Sequence, residues 1–132
     1  MEREQTNGRT ACRLLIVAAG LFGATGVALG AVAAHRLQSP AMAQASTLLI
    51  VHAAAAVGLA AHCSQSPRPR ASIAAGALLL AGTALFAADI TLRGFTGDRL
   101  FPMAAPIGGS AMIAGWLAIA IAGILELRSA KK

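Results

Sequence analysis

Residues 14–34 read LLIVAAGLFGATGVALGAVAA, a run without one ionisable side chain, bracketed by Arg13 before it and His35-Arg36 after it. As a helix rising 1.5 Å per residue, such a run covers about 30 Å, the thickness of a bilayer's hydrocarbon core. Inside that core backbone polar groups must bond within the segment, so the run reads as a membrane-spanning helix. The pattern recurs three times downstream. A second run, 41–61, follows Ser39-Pro40, an N-cap residue and a first-turn proline. A third, 71–92, follows the breaker Ser66-Pro67-Arg68-Pro69-Arg70, and a fourth, 104–125, has Pro106 in its first turn and closes at Glu126-Leu127-Arg128. The fold class expected is therefore all-α: an integral membrane four-helix bundle over 14–126, with tails at 1–13 and 127–132.

Composition agrees. The 132 residues are 57% hydrophobic and 12% charged, whereas soluble domains average roughly 45–50% and 25%. That balance excludes a disordered chain, and two cysteines cannot staple a chain of this length. The formal charge of +6 raises nucleic acid as a partner. However, the basic residues sit between and beyond the apolar runs, aromatics are 4% and Tyr is absent, so no platform exists for stacking bases. Lipid is the partner expected, not nucleic acid.

A cleavable secretory signal is the competing reading of the first run, since Ala31-Val32-Ala33 resembles a cleavage site. The run exceeds the usual apolar stretch of about 7–15 residues, and no soluble domain follows. Orientation comes from Lys and Arg in the flanks. Arg3, Arg9, Arg13, Arg68, Arg70, Arg128, Lys131 and Lys132 fall on one side, and Arg36, Arg93 and Arg99 on the other. Eight against three predicts both termini in the cytoplasm. Cys12 and Cys63 then lie near the cytoplasmic face, where thiols stay reduced, and read as small apolar packing residues.

Burying apolar surface does not drive helices together in lipid, so close van der Waals contact must. The first run carries Gly20, Gly23, Gly26 and Gly30, which leave one helix face almost bare and include a GxxxG. That face can meet another span of the chain or a second subunit. The fourth run repeats small-xxx-small spacing at Ala105/Gly109 and Ala111/Gly115, with Gly108 adjoining. Trp116 falls mid-span, where it reads as a bundle-filling ring whose N–H wants a partner. Phe95 and Phe101 read as interfacial anchors.

Ionisable groups at membrane depth are costly and are functional candidates by default. Asp89 precedes Arg93 by four residues, the spacing and order that let the two meet on one helix face. His35 should lie at nearly the same depth, predicting an outer cluster of His35, Asp89 and Arg93. His52 falls roughly 12 Å deeper by helical rise and is expected to stand alone. His52 and His62, about 15 Å apart along one helix, cannot hold one ion. No CxxC, HxxxH, GxSxG, P-loop or nucleotide turn is present. No metal, cofactor or catalytic residue is expected, and the chain reads as a non-enzyme.

Several stretches resemble one family of small four-span membrane proteins, the domain-of-unknown-function family 423, whose eukaryotic relative is called transmembrane protein 256. They are Gly26-Val27-Ala28-Leu29-Gly30-Ala31-Val32-Ala33-Ala34-His35, His52-Ala53, Gly82-Thr83-Ala84-Leu85-Phe86, and Leu100-Phe101-Pro102-Met103-Ala104-Ala105-Pro106-Ile107-Gly108-Gly109 followed by Ala114-Gly115-Trp116. Pro-Ile-Gly-Gly and Gly-Trp at that separation are the most specific. Family members tend to carry polar and Tyr residues just before the second-span His, where this chain has Thr47-Leu48-Leu49-Ile50-Val51. The resemblance implies fold, four-span topology and location in the bacterial inner membrane; it implies no activity. The function expected is that of a structural, assembly or accessory subunit acting through helix contacts, within a homo-oligomer or larger membrane complex. The alternative is an oligomeric small transporter or channel using His52 and the His35/Asp89/Arg93 cluster.

Overall fold

The structure, a computed structural model, describes residues 2–66 and 69–129, with side chains from 8 to 128 within those limits. Pro67, Arg68, Lys131 and Lys132, and the side chain of Arg3, lie outside the described residues. Helix α1 spans Glu2–Val32 and runs into a π-helical turn at Ala33–Leu37. Helices α2, Pro40–Gln65, α3, Arg70–Thr96, and α4, Ala104–Ser129, complete the chain. Each is long and apolar enough to cross a membrane. The chain is an all-α, multi-pass membrane protein.

The helix limits follow local chemistry. At the start of α2 the Ser39 hydroxyl accepts from the Met42 amide at 3.4 Å, and Pro40 sits where its missing N–H costs nothing. α3 outruns its apolar stretch and stops at Gly97, whose φ of 81° a residue with a Cβ adopts only at a cost. α1 begins at Glu2, well ahead of its apolar run. Once a helix is nucleated, propagation adds a bond for each residue fixed, and nothing between Arg3 and Arg13 breaks it.

Neighbouring helices in the chain are neighbours in space: α1 packs on α2, α2 on α3 and α3 on α4, with light contact between α1 and α3. α2 and α3 form the buried centre; α1 and α4 flank them. The bundle has one end bearing the α1–α2 and α3–α4 connections, called here the loop end. The terminal end is where α1 and α3 begin and α2 and α4 finish. Toward the loop end the core is Leu29, Ala33, Met42, Ala45, Leu49 and Ala87. Toward the terminal end it is Leu15, Ala19, Ala56, Ala60 and Leu80.

Two seams let backbones approach. On α1, a Cβ at Gly26 would stand 2.8 Å from Ile50 Cγ1 and 3.0 Å from Leu49 Cβ, and one at Gly30 would stand 2.7 Å from Ser46 Oγ. The Ser46 hydroxyl donates to the Gly26 carbonyl at 2.7 Å, so the GxxxG closes around an interhelical hydrogen bond. Gly23 is looser, with the Ala53 Cβ at 3.8 Å. The α1 glycine face thus meets α2 of its own chain. Between α3 and α4, Gly82 and Gly108 bring backbone against backbone, and Gly115 lies against Leu79. Gly20 and Gly109 meet nothing within 4 Å and belong to neither seam.

Candidate functional site

The polar side chains at membrane depth form separate islands. At the loop end Asp89, 1% exposed, accepts from Arg93 Nη2 at 2.8 Å through Oδ2 and from the Leu100 amide at 2.9 Å through Oδ1. One carboxylate thereby ties the α3–α4 connection back onto α3. Two charge-assisted bonds offset much of what burying the charge costs. His35 does not join them. It is exposed on the π turn, with no hydrogen bond or ion pair to either residue among the described residues. The reason is packing order: α1 lies mainly against α2, so its loop-end turn is carried away from α3.

At mid-span His52 is buried at 4% exposure, and it is not alone. The Trp116 indole donates to its Nε2 at 3.2 Å, and its Nδ1 lies 2.7 Å from the Leu48 carbonyl. An indole nitrogen only donates and a carbonyl only accepts. The network therefore assigns a neutral imidazole with its proton on Nδ1. The ring centroids are 6.0 Å apart at 51°. Trp116 itself is not a filler of the bundle interior, being 46% exposed. α4 spends its small residues on α3, which leaves the indole on its flank, reaching sideways to α2.

The terminal end holds a third island that the sequence reading missed. His62 Nε2 lies 2.9 Å from Glu126 Oε2, and the Ser66 hydroxyl donates to Glu126 Oε1 at 2.8 Å. A signal was available. α2 and α4 run the same way, and 62 and 126 lie ten residues beyond 52 and 116, so a first contact implies the second. The carboxylate sits between hydroxyl and imidazole, an order that differs from the serine–imidazole–carboxylate order of a nucleophilic triad, and the group is a strap.

Cys12 and Cys63 were expected as unbonded packing residues; they are joined in a disulfide, with Cα atoms 6.1 Å apart and both side chains buried. The geometry of the α1–α2 hairpin brings this about. Counted from the turn at Gln38-Ser39, the two positions lie at nearly equal distances along antiparallel helices. Among the described residues no three His, Cys, Asp or Glu side chains converge as a metal site.

The family model described as Protein of unknown function (DUF423) matches residues 29–109. That interval takes in the end of α1, all of α2 and α3 and the start of α4, including His52, Asp89, Arg93 and Gly108. No solved structure matches the chain.

Proposed function

We propose that this chain, which belongs to that family of unknown function, is a non-enzymatic structural, assembly or accessory subunit of a membrane complex. The observation carrying this reading is that the bonded polar groups at membrane depth find their partners within the chain: Asp89 with Arg93, His52 with Trp116, His62 and Ser66 with Glu126. Such pairs hold helices in register, and they leave no acid and base addressing a common cavity. The eight-to-three distribution of Lys and Arg supports an inner-membrane protein with both termini in the cytoplasm, and the Cys12–Cys63 disulfide at that end counts against it, because cytoplasmic thiols stay reduced.

The alternative, an oligomeric transporter or channel, draws its support from a histidine buried at mid-span. It is weakened by the occupation of both ring nitrogens and by the separation of His35 from Asp89. Native mass spectrometry of tagged protein extracted gently from its own membranes tests the choice. A stoichiometric assembly with a different polypeptide supports the accessory role. A homo-oligomer alone, with liposome flux abolished by His52→Ala, overturns it.

A further inference from the structure

Between α2 and α4 lies a slot bounded at both ends by the two straps. The helices are otherwise held apart by α3, and the cavity between them measures about 380 Å³, within the range of small-ligand sites of ~300–1,000 Å³. Its walls are Ala55, Gly58 and Leu59 on α2 and Ile119, Ala122 and Gly123 on α4. Those walls are mostly small, and nothing lies within 4 Å of where a Cβ on Gly58 or Gly123 would stand. Gly58, Gly123 and the Trp116 ring are exposed, so the slot opens sideways toward the bilayer.

We propose that this slot holds one acyl chain of an anionic glycerophospholipid, from the leaflet at the terminal end of the bundle. Depth is the first argument. The straps are ten residues apart on both helices, about 15 Å of helical rise, which is half of the ~30 Å hydrocarbon core. A chain entering beside His62 and Glu126 reaches the Trp116–His52 pair at the bilayer midplane, the length of one leaflet. Width is the second. Direct hydrogen bonds of 3.2 and 2.8 Å cross between α2, or its C-cap, and α4 at the two ends. Helices whose side chains meet directly at both ends of the slot leave no room between them for a helix about 10–12 Å across.

Charge is the third argument. Glu126 is already paired at the rim. Arg128 stands two residues beyond it on α4 and is exposed. A phosphate at headgroup level is the complement of that guanidinium.

The test uses the full-length protein, purified in detergent and delipidated, then given phosphatidylglycerol or phosphatidylcholine and examined by native mass spectrometry. One phosphatidylglycerol per chain is expected, retained roughly fivefold over phosphatidylcholine, from one surface arginine. Gly123→Leu and, separately, Gly58→Leu fill the slot and should abolish the adduct; Gly109→Ala, at an open position outside the slot, should retain it. Arg128→Ala should erase the preference while leaving the chain bound. Circular dichroism on each variant reports that it is folded. Absence of any adduct, equal retention of the two lipids, or an adduct indifferent to both slot-filling variants overturns the proposal. So does a second polypeptide displaced by Gly123→Leu in place of a lipid. The lipid readouts do not depend on whether a partner subunit exists.

Discussion

Gly108 and Gly109 are adjacent, identical in chemistry and opposite in environment, and substituting each by alanine tests how the α3–α4 seam is built. A Cβ on Gly108 would stand 2.7 Å from the Phe86 amide nitrogen, 2.8 Å from the Gly82 carbonyl oxygen and 3.0 Å from the Phe86 Cα. All three are backbone atoms, which cannot rotate aside. Restoring an ordinary contact of about 3.4 Å moves α4 from α3 by about 0.7 Å. That opens the seam at Gly115 and Leu79 as well. Overpacking of this kind costs about 1–3 kcal/mol, and the rigidity of the opposing atoms puts the cost near the upper end. Both substitutions gain the same helix propensity, about 1 kcal/mol, so the difference between them isolates packing. Gly108→Ala should be about 2–3 kcal/mol less stable than Gly109→Ala, which should match or exceed the parent. Equilibrium unfolding in mixed micelles, followed by circular dichroism and by fluorescence of Trp116, the one Trp in the chain, measures this. Stabilities within about 0.5 kcal/mol of one another, the scatter of substitutions that touch nothing, would refute the reasoning.

Other expectations follow from single contacts. Ser46→Ala removes the hydroxyl that donates to the Gly26 carbonyl and should cost about 0.5–1.5 kcal/mol in the same assay; no loss would mean that glycine contact alone holds α1 to α2. A double-mutant cycle of His52→Ala and Trp116→Phe should give a coupling of about 0.6–1.7 kcal/mol, and additive singles would deny the bond. Asp89→Asn leaves the Arg93 guanidinium, itself 38% exposed, without its counter-charge and should cost about 1.5–3 kcal/mol, part of it recovered in Asp89→Asn/Arg93→Gln; a double variant no better than the single would place the cost in the Leu100 contact. Purified protein in an oxidising buffer should accept no maleimide before reduction and two after it, at Cys12 and Cys63. Labelling without reductant would show that the sulfurs are not bonded.

The spans were legible because a bilayer imposes one length and one composition on every segment that crosses it, and each apolar run carries a proline or a charge at its boundary. The Asp89–Arg93 pair was legible because both residues lie on one helix, where spacing fixes geometry. Contacts between helices were not, because they depend on which helices are neighbours. Gly108 and Gly109 share a motif, yet only Gly108 faces α3. His35 and Asp89 share a depth, yet α1 packs mainly on α2. His52 and Trp116 are 64 residues apart, and nothing in either run announces that α4 turns its flank to α2. The disulfide was half legible. Nearly equal distance of Cys12 and Cys63 from the Gln38-Ser39 turn puts them close to one level, but only the facing of α1 and α2 brings the sulfurs together.

That same facing bears on what remains available for partners. In lipid, tight helix association uses small residues, and the chain consumes most of them itself: Gly26 and Gly30 against α2, Gly82 against Gly108, Gly115 against Leu79. What α4 presents outward is Ile107, Ile113, Leu117, Ile121 and Ile124, and α1 presents Leu14, Ile16, Val17, Leu21 and Val27. These large aliphatic faces suit acyl chains better than a closely packed helix. Gly58 and Gly123 are open, but they flank a slot closed at both ends by straps too short to admit one. An accessory role exercised through the membrane faces would therefore call on wide, loosely specified contacts. The features with specific shape and charge are at the two ends. One is the loop that Asp89 fastens through Leu100, with Phe95 and Phe101 exposed beside it. The other is the arginine-rimmed mouth of the slot. A partner recognised at the loop end should survive Gly123→Leu and be lost with Asp89→Asn, whereas a bound lipid should show the reverse.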